Sequence, residues 1–193
     1  MIRWPDLAAL GRKFRAARPF RHVVVDGLLS GADHARMQAE FGGEPLVPVE
    51  GEIYAQLRGT EPPLQPSLRA LVEALGSSRV AVSEICGVPI SHADGAAYAY
   101  REDHYLLPHS DSRQHLGRAV AYAYYISSPE RGGELELFAC TARSGRIVRT
   151  RPAKRIAPRP NRLVLFEVHD LALHQIREVL AGERTSIAGW FHR

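Results

Sequence analysis

The second half of the sequence, from about residue 96, is divided into short apolar segments that are separated by glycine, proline or polar turns. Their lengths and spacing are typical of strands in an all-β barrel or a jelly roll. The segments are AAYAY, HYLLPHSD, AVAYAYYIS, GELELF, RIVRT, NRLVLFEV, LALHQIREVL and RTSIAGWFH. We therefore predict a β core over residues 96–193.

The first half of the sequence favours helices. Apolar residues recur at helical spacing in WPDLAALGRKFRAARP, in SGADHARMQAEFGG with Ser30 or Asp33 as its cap, and in SLRALVEALGSSRVAVSEICG with a break at Gly76. The segment FRHVVVDGLL reads as a strand. Residues 44–66 contain five prolines and little periodicity, which predicts a loop or lid, with a plain surface loop as the alternative. We expect one domain over residues 1–193, in which residues 1–95 are mostly helical support and lid.

Composition narrows the class of protein. A chain of 193 residues can bury a core of its own. Its two cysteines, Cys86 and Cys140, form no CxxC pair, which argues against a disulfide framework and a cysteine zinc site and favours a reducing cytoplasm. No apolar run is long enough to span a bilayer. The net charge of +4 comes almost wholly from arginine, and with the many alanines this indicates a GC-rich bacterial source.

The main concentration of basic residues lies between Arg143 and Arg159, in RSGRIVRTRPAKRIAPR, which contains no acidic residue. One interpretation is a solvated hairpin whose charges prevent pairing at a sheet edge. Another is a surface for RNA or a different polyanion. In the second case the protein would be a non-catalytic polyanion-binding module.

A histidine and an aspartate two positions apart, His109 and Asp111, suggest half of a metal site. Residues i and i+2 of a strand point to the same side, so both side chains can face the interior of a barrel. With one more histidine from another strand they would form the two-histidine, one-carboxylate triad that leaves positions on Fe(II) open. A second such pair, His92 and Asp94, lies between proline and glycine, and we interpret it as part of a loop.

Three late histidines, His169, His174 and His192, are candidates for the third ligand. His174 follows the apolar segment NRLVLFEV after a short turn, at the place where a buried strand would begin. His169 lies in a polar turn, and His192 is next to the last residue. The position of His174 favours it, although a histidine beside leucines is also common as a structural residue.

Arg184 would share one strand face with Ser186, Ala188 and Trp190, which points it into a mostly apolar interior. A buried guanidinium is costly unless it is paired, and its natural partner is a carboxylate bound through two hydrogen bonds. No acidic residue nearby in the sequence is an obvious partner, so a bound dicarboxylate would fit. The alternatives are a side chain that reaches solvent or pairs with a distant acidic residue.

Six segments in one order, HSD, GRAVAYAYYIS, GGELELF, PNRLVLFEV, LHQIREV and RTSIAGWFH, resemble the Fe(II)- and 2-oxoglutarate-dependent prolyl hydroxylases. The likeness is strongest to the catalytic domain of the eukaryotic ribosomal prolyl hydroxylases, which act on a small-subunit ribosomal protein. IYAQLRGT and ICGVPIS extend it to residues 50–193. The resemblance implies a mainly β fold with α, a double-stranded β-helix (jelly-roll) core with N-terminal helices packed against it.

The resemblance also implies roles for individual residues. The iron ligands would be His109, Asp111 and His174, and Arg184 would bind the distal carboxylate of 2-oxoglutarate. Tyr100, Tyr125 and, on weaker grounds, Ser186 would line the cosubstrate pocket, although without the resemblance each tyrosine would more often be an ordinary core aromatic. Gly132 and Gly133 are interpreted as a turn that enters a strand.

The chemistry implied is hydroxylation of an unactivated C–H bond with Fe(II), 2-oxoglutarate and O₂, and ascorbate is a candidate accessory reductant. Related halogenases have glycine or alanine in place of Asp111, so the carboxylate favours hydroxylation. The first expectation for the substrate is a prolyl residue of a protein or peptide, and the alternative is a free amino acid or natural product. Nucleic acid is expected as a partner only through a ribosomal substrate, and no membrane partner is expected.

The sequence departs from the ribosomal enzymes in three ways. Ser110 replaces the middle acidic residue of their ligand motif, two extra residues precede AYAYYIS, and the likeness ends at GWFHR, whereas those enzymes continue into a second β-helix domain. The fold and the cofactors tolerate these differences. The ribosomal substrate cannot be carried over in the same way, because the second domain and a lid can contribute to its selection.

Overall fold

The structure is a computed structural model that describes residues 2–193. Within this range four α-helices precede most of the strands: α1 (Leu7–Ala16), α2 (Gly31–Phe41), α3 (Pro66–Ser77) and α4 (Arg79–Cys86). Ser30 caps α2, because its hydroxyl accepts the N–H of Asp33. No helix in the described range is both long and apolar enough to cross a bilayer.

The helical segment after residue 65 is interrupted at Ser78, two residues later than the predicted break at Gly76. The hydroxyl of Ser78 donates to the carbonyl of Ala74 and accepts the indole N–H of Trp4. Gly76 stays helical because nothing in its surroundings requires a special backbone angle, and an added Cβ there would meet open space.

Fourteen strands are found among the described residues. They are β1 (His22–Asp26), β2 (Val47–Gly51), β3 (Tyr54–Arg58), β4 (His92–Ala93), β5 (Ala96–Tyr100), β6 (Tyr105–His109), β7 (Arg118–Tyr125), β8 (Arg131–Gly132), β9 (Leu135–Arg143), β10 (Arg146–Ile156), β11 (Arg162–Glu167), β12 (His174–Ile176), β13 (Val179–Ala181) and β14 (Arg184–His192). Twelve form one curled antiparallel sheet, and β8 pairs with β13 separately.

The order of the large sheet, β1-β11-β7-β14-β5-β3-β6-β12-β9-β10, folds it into two walls. Strand β3 joins the walls, because its C-terminal half pairs with β5 and its N-terminal half pairs with β6. The strands β1, β11, β7, β14 and β5 form one wall, and β6, β12, β9 and β10 form the other. The predicted jelly roll with N-terminal helices packed against it is confirmed.

The prediction of a loop over residues 44–66 is wrong for its central part, where β2 and β3 form a hairpin. Prolines weakened the strand pattern in the sequence. Pro48 is compatible with the sheet because β2 pairs with β3 alone among the described residues, and proline is tolerated on an edge strand. The first 95 residues thus contribute β1, β2, β3 and β4 to the sheet as well as the helices.

Alternation along β7 separates two parts of the hydrophobic core. Val120, Tyr122 and Tyr124 face the helices, and Ala121, Ala123 and Tyr125 face the interior of the barrel. The helical side is filled with leucine, isoleucine and phenylalanine from α1, α3 and α4. On the barrel side, β7 contributes the small residues Ala121 and Ala123. Because larger side chains at these positions would fill the interior, the alanines leave space between the two walls.

Gly189 on β14 marks a close approach of two backbone segments. A Cβ at this position would lie 2.2 Å from the carbonyl oxygen of Asp94 and 2.7 Å from Cα of Gly95. Both are backbone atoms, which cannot rotate away as a side chain can. Glycine is therefore required here by space and not by a special backbone angle.

Two glycine substitutions should change stability in opposite directions. We expect Gly189→Ala to lower the free energy of unfolding by about 3 kcal/mol or more, since backbone must move. Gly76→Ala should raise it by about 0.5–1 kcal/mol, because alanine is the better helix former and its methyl group meets no atom. Urea unfolding of both variants measures the difference, and equal effects would contradict this account of the fold.

Candidate active site

The interior of the barrel encloses a cavity of about 190 Å³. Small residues of the first wall provide its space, namely Ala121, Ala123, Ala188 and Gly189. Polar groups lie at its two ends. His174 lies at one end, next to the ring of Phe166, and Tyr100 lies at the other end, next to Ile176. The site therefore combines a mostly apolar lining with two separate polar clusters.

The first polar cluster consists of His109, Asp111 and His174, whose ligand atoms all lie within 4.8 Å of one another. Oδ1 of Asp111 is 3.5 Å from Nε2 of His109, and its Oδ2 is 3.5 Å from Nε2 of His174. His174 lies directly opposite His109 in the pairing of β12 with β6. Two imidazole nitrogens and one carboxylate are the donor set of a non-haem Fe(II) site with open positions.

The orientation of both histidines is fixed by backbone carbonyl groups. Nδ1 of His109 donates to the carbonyl of Leu107 at 2.9 Å, and Nδ1 of His174 donates to that of Ala172 at 3.1 Å. A carbonyl can accept but not donate, so the proton must be on Nδ1. Each Nε2 is left with a lone pair that points to the cluster, as in metal-binding histidines.

Asp111 lies beyond the end of β6, so the prediction that both residues of the pair are in a strand is correct for His109 only. The intervening Ser110 fixes the turn. Its hydroxyl donates to the carbonyl of His169 and accepts the N–H of Ser112, each at 3.1 Å. These two hydrogen bonds keep the carboxylate of Asp111 near the histidines without a strand ladder.

Burial and mutual charge set the protonation of the cluster. Burial alone would raise the pKa of Asp111, but hydrogen bonding to His109 and the nearby imidazoles bring it to about 2. Burial lowers the pKa of His174 to about 4, although the charge of Asp111 opposes this. Burial also acts against a charged His109, yet Asp111 raises the pKa of this histidine above its ordinary value. An anionic carboxylate and a neutral His174 are the forms that bind metal ions.

The second polar cluster is centred on Arg184, which is 1% exposed to solvent. Its Nε and Nη1 have no hydrogen-bond partner among residues 2–193. The guanidinium carbon lies 4.9 Å from the ring centres of both Tyr100 and Tyr125. The hydroxyl groups of Tyr125 and Ser186 are buried and also lack a partner within the described chain.

The cluster around Arg184 fits a carboxylate. A cation with two free donors, together with two free hydroxyl groups, can satisfy the oxygen atoms of one bound carboxylate. Arg184 lies opposite Tyr100 in the pairing with β5, and Ser186 lies opposite Tyr125 in the pairing with β7. The predicted alignment of Arg184, Ser186, Ala188 and Trp190 on one face is confirmed, since all four line the cavity.

Gln56 of β3 is a site residue that the sequence prediction missed. It lines the cavity, and its side-chain oxygen accepts a hydrogen bond from the hydroxyl of Tyr100. Gln56 belongs to the segment that was expected to be a loop, so no strand pattern indicated that it points inward. The position of Gln56 inside IYAQLRGT, a segment of the family likeness, was the available signal.

The other candidate histidines are engaged elsewhere. His192 forms a 2.7 Å contact with Asp94 through Nε2 and a 2.8 Å contact with the carbonyl of Leu116 through Nδ1. Nε2 of His169 lies 3.4 Å from Glu167. His92 stacks on His192 with ring centres 4.4 Å apart.

The interpretation of the second pair as part of a loop is wrong in one respect. His92 and Ala93 form the short strand β4, which pairs with β14. Asp94 follows directly, and its carboxylate accepts the backbone N–H of Trp190 as well as bonding His192. The pair therefore holds the end of β14 in place, and flanking proline and glycine concealed the short strand.

Comparison with known proteins gives a family for the second half of the chain. Residues 95–192 match the model of the 2OG-Fe(II) oxygenase superfamily. Prolyl 3-hydroxylase OGFOD1 of Xenopus laevis is 29% identical over an alignment of 188 residues, and the alignment covers 90% of this chain and 35% of that protein. The mouse protein of the same name is 27% identical over 186 residues. The chain thus spans about a third of the length of these curated relatives.

Solved structures share the fold at lower identity. A prolyl-4-hydroxylase from Pseudomonas putida has a TM-score of 0.73 at 19% identity, with 97% of this chain and 98% of that chain covered. A prolyl hydroxylase from Trichoplax adhaerens, in complex with a hypoxia inducible factor peptide fragment, has a TM-score of 0.71 at 16% identity, with 97% and 90% covered.

The two most buried arginines should respond in opposite ways to replacement by methionine. Arg184→Met removes a buried cation without a carboxylate partner, so we expect the free energy of unfolding to stay level or rise by about 1–3 kcal/mol. Arg162 instead binds both carboxylate oxygens of Asp26, at 2.6 and 2.9 Å. Arg162→Met should lower the free energy of unfolding by about 1–3 kcal/mol.

Urea unfolding of the protein without added metal or keto acid compares the two variants with the parent chain. The arginines are matched in burial, since both side chains are largely inaccessible to solvent. A loss of stability in Arg184→Met as large as that in Arg162→Met would contradict the view that Arg184 lacks a partner within the chain.

Proposed function

The chain belongs to the 2OG-Fe(II) oxygenase superfamily, and we propose that it hydroxylates a prolyl residue of a protein or peptide. It is a 2-oxoglutarate-dependent oxygenase that uses Fe(II), 2-oxoglutarate and O₂. One observation carries the oxygenase chemistry: a cavity of about 190 Å³ has a metal-binding donor set at one end and an unpartnered buried arginine at the other.

We assign His109, Asp111 and His174 as the iron ligands. The donor types and their spacing support this assignment, and so do the carbonyl groups that turn both Nε2 atoms inward. We assign Arg184 to the distal carboxylate of 2-oxoglutarate. A keto acid that binds the metal through its keto end would extend toward Arg184 through the apolar middle of the cavity.

The neighbours of Arg184 complete the proposed cosubstrate site. The hydroxyl groups of Tyr125 and Ser186 are free to donate to the same carboxylate. The rings of Tyr100 and Tyr125 lie against the guanidinium and exclude water, which strengthens a charge-assisted hydrogen bond. Gln56 fixes the hydroxyl of Tyr100 from the side of β3.

The bound metal and keto acid supply the oxidation: 2-oxoglutarate and O₂ yield succinate and CO₂ while one oxygen atom enters a substrate C–H bond. The chain contributes position and a dry pocket. The ring of Phe166, 4.6 Å from that of His174, and the alanines of β7 keep the surroundings apolar. Solvent can approach from the side of His109 and Asp111, whose side chains are 19% and 11% exposed. The substrate C–H bond would therefore enter from this side.

A prolyl substrate is supported by the wall of this entrance. Trp190 lines the cavity, and the guanidinium of Arg118 lies 3.4 Å from the centre of its ring, which holds the indole in place. Flat aromatic surfaces are suited to the apolar pyrrolidine ring of proline. The curated relatives named as prolyl 3-hydroxylases support the same substrate type.

The proposal is tested with a library of proline-containing peptides, incubated with the protein, Fe(II), 2-oxoglutarate and O₂. We expect a subset of peptides to gain one oxygen atom on a prolyl residue, with one succinate formed for each hydroxylation. Fragmentation by mass spectrometry identifies the modified residue. Hydroxylation of free amino acids or other small molecules, with no modified peptide, would favour the alternative substrate class.

Asp111→Ala and Asn161→Gln are the two comparison variants for this experiment. Asp111→Ala removes the carboxylate of the donor set, so we expect turnover to fall on the order of 100-fold or more. Asn161 hydrogen-bonds Leu29 and Tyr124 outside the cavity, so its variant reports general damage to the fold. Unchanged turnover in Asp111→Ala would refute the ligand assignment.

A further inference from the structure

The hairpin of β9 and β10 extends beyond the rest of the barrel. Strand β12 pairs with β9 over residues 135–137, and from Ala139 onward β9 pairs with β10 alone among the described residues. Strand β10 is the last strand of the sheet order, and every residue in it except Ile156 is exposed. This part of the chain therefore contributes little to the core and presents a free surface.

Two irregularities in the pairing determine which side chains share a face of this hairpin. The register passes from Ile147 opposite Ala142 to Arg149 opposite Thr141, so Val148 is an extra residue. A second shift, between residues 152 and 154, leaves Ala153 as an extra residue. Residues three positions apart in a regular strand point to opposite faces. Because one residue is extra in each bulge, Arg146 and Arg149 point to the same face, and so do Arg151 and Lys154.

The consequence is a row of cations on one face. Positions 137, 139, 141 and 143 of β9 alternate regularly and lie on one side of the sheet. The residues opposite them on β10 must lie on the same side. These are Lys154, Arg151, Arg149 and Arg146, and Arg143 of β9 joins them at the tip. Successive positions are roughly 7 Å apart, so the row extends over roughly 20 Å.

The cations of this row, Arg143, Arg146, Arg149, Arg151 and Lys154, form what we call the cationic face. Within residues 2–193 none of them forms an ion pair. Arg155, on the opposite face, does form one, with Nε 2.6 Å from the carboxylate of Glu136. The cationic face is therefore available to an external anion, whereas the other face is neutralised by the chain itself.

The cationic face leads toward the entrance of the active site. Lys154, Leu137, His174 and His109 are successive partners in one row across four strands. From this row β9 runs toward its tip in the same direction as β6 runs toward Asp111. The hairpin thus continues the inner wall past the metal-binding cluster, on the side where a substrate would enter.

A second group of cations borders the same end of the barrel. Arg113, Arg118 and Arg193 line one surface pocket together with Ser112, the residue that follows Asp111. Arg118 in turn lies over Trp190 at the wall of the cavity. Positive charge is therefore present on two sides of the entrance, while Asp170 is the one acidic side chain among the described residues that line that pocket.

We propose that the cationic face binds the phosphate backbone of double-stranded RNA. A nucleic acid carries a charge on every unit, so it can neutralise a regular row of cations, and arginine binds phosphate through two parallel hydrogen bonds. The face has no aromatic side chain on which an unpaired base could stack. Ala139 and Thr141 are small, so the surface between the cations is flat. A flat surface can lie against the wide, shallow minor groove of an A-form helix.

Other polyanions fit this face less well. An anionic membrane would be bound best by cations beside large apolar side chains, but the exposed Ile147 points to the opposite face, and the exposed Val148 is the extra residue of the bulge and has no paired position in the row. Proteins that recognise B-DNA insert side chains or a helix into its grooves. The cationic face is flat, so it presents cations to phosphates and inserts nothing into a groove. An acidic protein presents carboxylates at irregular intervals, so it would neutralise part of the row.

The test measures fluorescence anisotropy of a short labelled RNA duplex with the full chain over a range of salt concentrations. The main variant combines Arg146→Thr, Arg149→Thr, Arg151→Thr and Lys154→Thr, which suit an exposed strand. We expect its affinity to fall on the order of 100-fold at low salt. The slope of log affinity against log salt should also become shallower by about one for each cation removed.

Two controls separate the position of charge from its amount. The first removes four exposed cations from helices, with Arg12→Gln, Lys13→Gln, Arg36→Gln and Arg79→Gln, and should leave affinity within about threefold of the parent. The second exchanges neighbours, Arg146→Ile with Ile147→Arg and Arg149→Thr with Thr150→Arg. It keeps composition and net charge but turns two cations to the opposite face, so affinity should fall at least about tenfold.

Binding is measured without iron or 2-oxoglutarate, and Asp111→Ala should bind RNA as the parent does. Failure of this proposal is thus distinguishable from failure of the proposed oxygenase activity. Equal losses in the helix control and the main variant would overturn it, and so would the absence of RNA binding. Tighter binding to a DNA duplex, to poly-glutamate or to vesicles with anionic lipid would assign the face to another partner and would equally overturn it.

Discussion

The direct opposition of His174 and His109 across two antiparallel strands is the constraint on which the site depends. It brings together two residues that are 65 positions apart in the sequence, and the turn anchored by Ser110 adds Asp111 to them. The same row of partners continues through Leu137 to Lys154. One register therefore sets both the metal-binding cluster and the placement of the cationic face beside the entrance.

The opposite end of the cavity is centred on Arg184, a buried cation whose hydrogen-bond donors Nε and Nη1 find no acceptor in the described chain. Arg184 is buried between two tyrosine rings with two donor atoms unpartnered in the described chain. Such a cation reduces stability unless a carboxylate joins it. The unpartnered donors support the proposed carboxylate site, and the small residues of β7 and β14 leave space for a dicarboxylate between the two ends of the cavity.

Much of this arrangement could be predicted from the sequence, for physical reasons. The short apolar segments predicted a β core, and the position of Arg184 on an apolar strand face made a bound dicarboxylate one of its candidate partners. The hairpin at residues 47–58, with Gln56 on it, was missed because Pro48 disrupts the strand pattern and tolerance of proline depends on β2 being an edge. The common facing of Arg146, Arg149 and Arg151 was also hidden, since a sequence does not reveal which residues will be left unpaired in a bulge.

Anaerobic titration of the protein with Fe(II) and then with 2-oxoglutarate tests whether the metal-binding cluster and Arg184 hold the two ends of one keto acid. The charge-transfer absorption of a chelated keto acid reports when both groups occupy one cavity. We expect one iron per chain, and we expect the Arg184→Met variant to keep its affinity for iron but to need on the order of 100-fold more 2-oxoglutarate. Equal affinity for 2-oxoglutarate in the parent and in Arg184→Met would contradict the account.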